Sequence, residues 1–179
     1  WGRSDCCHAR QGDFDLIIYD ETHSELHSQS VVGLGNVSPY HGEIDFADVT
    51  DATYVRVVQN VNDTFQVAEL QAFEVGTGIN VAAQTEGGVA SAKDIGWGGT
   101  PDRANDGNTN MAWSGGSLWH SGSSLGTWLE IELDRGLSSA DLVASLNAHD
   151  YGAGYTYVFE LGSADMIAVD NPDPSIFTT

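Results

Sequence analysis

The sequence predicts an all-β protein, and three observations carry that expectation. Runs of β-branched and aromatic residues recur along the chain, several of them alternating apolar and polar positions. Clusters of Gly, Ser, Asn and Asp separate the runs, as at Gly33 to Ser38 and Ser114 to Ser117. No stretch combines a sustained helical period with capping signals, so short strands at this spacing argue for a β-sandwich.

The elements follow in order. Phe14 to Tyr19 reads as a strand that ends at an Asp-Glu-Thr turn, and Thr53 to Val58 is a second, β-branched run. Phe65 to Phe73 alternates as a half-buried strand should. Gly76 and Gly78 follow, and Ile79 to Ala82 begins a further extended run. A seam is therefore expected near Gly76, with closely joined modules and no long linker. Trp128 to Leu133 and Tyr155 to Phe159 repeat the strand pattern.

Length and composition narrow the class. For 179 residues the prior is one domain, and 41% apolar residues with 21 Gly against 4 Pro read as globular. The longest apolar runs, such as Leu16 to Ile18, are too short to span a bilayer. The net charge is −20, and Lys93 is the single lysine beside five arginines. That leaves no basic surface for a phosphate backbone, so nucleic acid is excluded as a partner and anionic membrane surfaces are disfavoured. Acidity of this degree suits divalent cations. The chain opens on Trp1 rather than Met, so a removed leader or a cut from a longer chain is expected.

Two clusters stand out chemically. The first is the octet Arg3-Ser4-Asp5-Cys6-Cys7-His8-Ala9-Arg10, which concentrates two arginines in a chain that otherwise shuns positive charge. Guanidinium groups present rigid donors suited to vicinal hydroxyls, ring oxygens and carboxylates, and Asp5 is placed to orient one. A surface ion pair near the chain end is the plainer reading. The adjacent cysteines read either as two free thiols or as a strained vicinal disulfide. Neighbouring Cα atoms lie only about 3.8 Å apart, below the usual disulfide span.

The second cluster is Asp102-Arg103-Ala104-Asn105-Asp106-Gly107-Asn108-Thr109-Asn110. Its oxygen-rich side chains suit calcium, but an EF-hand fails: Ala104 and Trp113 stand where two acidic ligands should. An Asx-rich turn or a calcium site of another kind remains.

Catalysis finds little support. No Gly-x-Ser-x-Gly elbow, His-Glu-x-x-His or phosphate loop occurs. The pair Glu130/Glu132 shares one strand face, as chance pairs do among 26 acids, and reads as a solvated face rather than a glycosidase pair. Asn36-Val37-Ser38 and Asn62-Asp63-Thr64 form glycosylation sequons, a motif too short to fix the source.

Arg-x-Asp-Cys-Cys-x-x-Arg followed by an apolar strand ending in Tyr19-Asp20 resembles the F-type lectin family (fucolectins, tachylectin-4), within the discoidin-like, galactose-binding jelly rolls. Tyr54 to Val57 and Val67 to Phe73 look like the last strands of such a module. Asn80 to Ala82 looks like the start of another. Ala104 to Asn108, Trp113, His120 and Trp128 then continue in the family's order. The resemblance thus implies a discoidin-like jelly-roll β-sandwich present as two partial modules. Residues 1–77 would be the C-terminal half of one, and 78–179 the N-terminal and middle part of the next. A single circularly permuted module is the alternative.

The resemblance also implies a site. Arg3, Asp5 and Arg10 match the family's sugar-binding motif, with Cys6–Cys7 as a disulfide that packs on the sugar ring. His120 matches its histidine, and Trp113 stands where an aromatic covers the fucose methyl. In the second module Asn147, His149 and Gly154 occupy the motif positions, a departure from the pattern. Calcium would be held by the Asp106 side chain and by oxygens of Arg103, Asn108 and Ser117, closed by the Ala68 carbonyl and the Glu69 carboxylate. In two partial modules those sets would belong to different sites. The implied function is non-catalytic, calcium-stabilised binding of fucosylated or related glycans. It would operate outside the cell or at its surface, beside neighbouring lectin-like modules and without membrane insertion. The alternatives are an adhesive discoidin-like module without sugar binding and an accessory binding region of a secreted glycoside hydrolase.

Overall fold

The computed structural model of the chain describes residues 12–32, 42, 44 and 49–133, together with strands at 158–161 and 165–168. Antiparallel pairing organises them. Helical structure among the described residues is limited to 3-10 turns at Gln84–Glu86, Pro101–Ala104 and Trp113–Gly115. The strands are β1 (Phe14–Tyr19), β2 (Glu25–Val31), β3 (Tyr54–Gln59), β4 (Thr64–Val67), β5 (Val89–Ala92), β6 (Trp119–Ser123), β7 (Trp128–Glu132), β8 (Val158–Leu161) and β9 (Asp165–Ala168). Five of these form one sheet, in the order β2-β1-β3-β7-β5, and β4 pairs with β6.

Period-two alternation builds the core. β1 buries Phe14, Leu16 and Ile18, β3 buries Val55 and Val57, and β7 buries Leu129 and Ile131. Register aligns these side chains, with Leu16 opposite Val57 and Val57 opposite Leu129. Phe65, Val67 and Trp119 of the β4–β6 pair join the same cluster. The Phe65 ring lies 5.6 Å from Phe14 and meets Trp119 edge-on at 6.0 Å. The result is a sandwich-like, all-β core, each large buried apolar side chain adding about 1.5–3 kcal/mol.

Strands expected at Phe14, Thr53 and Trp128 form within a residue or so of the expected limits. The expected strand from Phe65 to Phe73 is shorter. It pairs with β6 through Val67, after which the Leu70 N–H turns away to donate to the Ala104 carbonyl at 2.7 Å. The extended run expected at Ile79 to Ala82 reduces to one bridge, Asn80 with Phe73, followed by a turn in which the Ala83 N–H donates to the Asn80 carbonyl.

The seam near Gly76 does not separate the described sheets. β3 lies before it and β7 after it, yet Tyr54 through Val58 pair with Glu132 through Trp128. β4 crosses the same divide to pair with β6. Strand pairing needs complementary edges rather than sequence neighbours, and the edge that β3 offers is filled by β7. The chain divides into compact units Trp1–Asp134 and Arg135–Thr179. In the second unit, β8 and β9 form an antiparallel hairpin with Val158 opposite Ala168. Among the described residues no helix is long and apolar enough to cross a membrane.

Candidate functional site

Glu69 lies two residues beyond β4, and its neighbour Leu70 is stitched to the 101–108 loop through Ala104. Asn105 holds that loop in place. It is fully buried, and its side-chain amide donates to the Ala82 carbonyl at 2.8 Å and the Gly88 carbonyl at 3.1 Å. The Gln84 N–H donates in turn to the Asn105 carbonyl at 3.0 Å. Gly88 permits this approach, because a Cβ there would sit 2.2 Å from the Ala82 carbonyl oxygen. The rest of the loop is a chain of Asx turns. Asp106 Oδ1 accepts from the Asn108 N–H at 2.8 Å, and Asn108 Oδ1 accepts from the Asn110 N–H at 3.1 Å. The Ser117 hydroxyl donates to the Asn110 carbonyl and ties the loop to the segment before β6.

This stitching brings two expected calcium stretches, Ala68-Glu69 and Arg103 to Asn108, to one place. Glu69 is 1% exposed, and its carboxyl is pushed up to about 7. Desolvation is the main cause and the Asp106 charge the second, while the Gly107 N–H opposes the rise. A buried carboxylate facing a second one fits a hard cation that takes oxygen ligands. No group of three or more His, Cys, Asp and Glu converges among the described residues. Ligands beyond Glu69 and Asp106 would therefore be backbone or amide oxygens, the donor type expected of Ala68, Arg103, Asn108 and Ser117.

A second locus surrounds His120, on β6 and 2% exposed. Its Nδ1 lies 2.8 Å from the Ser121 carbonyl, which can only accept, so Nδ1 carries the proton. Nε2 is left to accept from the Gln66 amide at 2.9 Å. The nitrogens are thus engaged within the protein, and the ring is fixed as a platform. Trp113 meets it edge-on at 5.7 Å, which joins two expected site residues.

Trp97 packs on the same ring at 4.6 Å and was not foreseen. Its only signal was the run Gly96-Trp97-Gly98-Gly99, an exposed aromatic among glycines. Glu130 corrects the solvated-face reading. It is 6% exposed, and its Oε2 accepts from Arg56 Nε at 2.7 Å, with Arg56 Nη2 at 2.6 Å. Glu132 does stay exposed. Arg3, Asp5, Cys6, Cys7 and Arg10 lie outside the described residues, as do Asn147, His149 and Gly154.

No protein-family model, curated protein or solved structure matches the chain.

Proposed function

We propose that the unit from Trp1 to Asp134 is one calcium-stabilised carbohydrate-binding module for fucosylated or related glycans, a circular permutant of a discoidin-like jelly roll. The observation that carries the reading is Glu69 facing Asp106, with the Ala104–Leu70 hydrogen bond beside them. In two partial modules those stretches would serve different sites, whereas strands paired across the seam support one permuted module in which the two stretches belong together.

Calcium supplies charge compensation for Glu69 and Asp106 and rigidifies the loops without touching the sugar. Arg3 and Arg10 donate to ring and hydroxyl oxygens, Asp5 orients them, and a Cys6–Cys7 disulfide offers an apolar face. Trp113 covers the methyl group, and His120 seats Trp113. Nothing in this set transfers a group or a proton, so the module binds and does not catalyse. Its setting is extracellular or at the cell surface, where neighbouring modules raise weak single-site affinity by avidity.

Calorimetric titration of a fucosylated trisaccharide into the full chain tests this, with calcium and with chelator. Saturable binding is expected with calcium. It should weaken with chelator and vanish in Arg3→Ala. A flat titration in the presence of calcium overturns the reading and leaves an adhesive module.

A further inference from the structure

We infer that Trp97 is a stacking platform for the apolar face of a pyranose ring, a contact residue beyond those that the lectin resemblance supplies. The inference deepens the carbohydrate reading above and rests on it.

The loop that carries Trp97 is clamped onto β6. The Gly96 N–H donates to the His120 carbonyl at 2.6 Å, and the His120 N–H donates to the Gly99 carbonyl at 3.2 Å. Only glycine fits at either end. A Cβ on Gly96 would lie 2.3 Å from the Ser121 carbonyl oxygen, and one on Gly99 would lie 2.7 Å from the His120 nitrogen. The approach to the loop is pinned as well. The Asp94 carboxylate accepts from the Gly122 N–H at 2.9 Å and the Thr127 hydroxyl at 2.8 Å, and the Trp119 indole N–H donates to the Asp94 carbonyl at 3.2 Å.

Between the two clamped glycines stands a tryptophan with φ of 50° that is 67% exposed. Neither property serves the fold. A bulky side chain in the left-handed region is strained, and an indole left in water forgoes its burial. Glycine at 97 would relieve both costs. What the position gains is an exposed indole seated on His120, the ring that Trp113 also meets. Because the loop is already fixed, a ligand meeting that indole orders little on binding.

The chemistry of the patch selects the ligand. The nearest charged side chains along the loop are Lys93, which donates to the Gly126 carbonyl, and Asp94, which is spent on the β6–β7 turn. Along the described loop the one cation is therefore Lys93, four positions from the indole and turned to a backbone carbonyl, so the aromatic face rather than a charge sets the contact. A neutral ring with a contiguous C–H face and hydroxyls at its rim fits an exposed, fixed indole face.

The test compares wild type, Trp97→Gly and Trp97→Phe in the full chain with calcium, using calorimetry with the fucosylated trisaccharide and thermal unfolding. Trp97→Gly should weaken binding by about tenfold or more. Its unfolding midpoint should match or exceed that of wild type, and Trp97→Phe should retain most of the affinity. If wild type binds and Trp97→Gly binds equally well, the platform is overturned while the lectin reading stands. A fall in the midpoint of Trp97→Gly that accounts for its loss of binding makes Trp97 structural and also overturns the platform. If wild type binds no sugar, both readings fall together.

Discussion

Two glutamates are almost equally buried, Glu130 at 6% and Glu69 at 1% exposure, one beside a guanidinium and the other beside a second carboxylate. Glu130 holds Arg56, whose guanidinium carbon lies 4.6 Å from the Trp128 ring centre and 4.9 Å from that of Tyr19. Glu69 faces Asp106, a second carboxylate. The chain has five arginines for 26 acids, and one of them is committed to the outer face of the main sheet. A buried carboxylate with its own cation is complete as a structural element. One set against another carboxylate is raised in pKa, which favours its protonated form unless a cation compensates the charge. The first arrangement is complete as architecture, and the second is where the proposed cation would act.

The largest effect should come from removing the cation of the complete pair. Arg56→Ala strands a buried carboxylate and empties the gap between Trp128 and Tyr19, so a loss on the order of 3–5 kcal/mol is expected in urea unfolding. Replacing both partners, as in Arg56→Met with Glu130→Leu, should recover most of that loss. An Arg56→Ala cost below about 1 kcal/mol would show that Glu130 does not depend on its partner and would dissolve the contrast.

The next effect belongs to Glu69, and its sign is the reverse of the usual carboxylate case. The folded value, about 7, lies above the ordinary 4.5, so the folded state binds the extra proton between them. Without metal, stability should be greatest near pH 4.5 and fall as pH rises through 7. The fall should reach at most about 3.5 kcal/mol, at about 1.4 kcal/mol per unit. Calcium should flatten that slope, and Glu69→Gln should remove both the slope and most of the calcium response. Thermal midpoints across this pH range, with chelator and with calcium, measure it. A slope that survives in Glu69→Gln would assign the effect elsewhere.

The two glutamates also show what the sequence could express. Strands with one dry face were legible because alternation records burial: β1 carries Phe14, Leu16 and Ile18 on one side, and its expected limits match. β2 left no trace, since Glu25 to Ser30 are exposed on both faces and hydropathy has nothing to report. Its place is set by hydrogen bonds to β1, including that of the Ser30 hydroxyl to Asp15 at 2.6 Å. Asp106 was legible as an oxygen-rich loop and Glu69 through its motif position, but their meeting depends on Asn105 reaching Ala82 and Gly88. The Arg56–Glu130 pair spans 74 positions. Only the β3–β7 register, which sets the two residues opposite each other, makes it a pair.

The smallest effect concerns the second contact on Glu130. The Asp20 carboxylate shapes the β1–β2 turn, accepting from the Thr22 hydroxyl at 2.8 Å, the Ser24 N–H at 2.9 Å and the Thr22 N–H at 2.8 Å, and those bonds, the hydroxyl's first, lower its pKa. The turn carries His23 at φ 58°, stacks its ring on Tyr54 at 4.0 Å and brings Nε2 to 3.3 Å from Glu130 Oε1. The His23 side chain is 45% exposed, so solvent screens the contact while Arg56 already holds the other oxygen. His23→Asn keeps a residue that tolerates the left-handed region and should cost less than about 1 kcal/mol. In an Arg56→Ala background His23 becomes the remaining described side-chain partner of Glu130, and the same substitution should then cost more. Urea midpoints of the four proteins give the coupling directly. Additive costs would mean that His23 serves the turn and its stack on Tyr54 rather than the buried carboxylate.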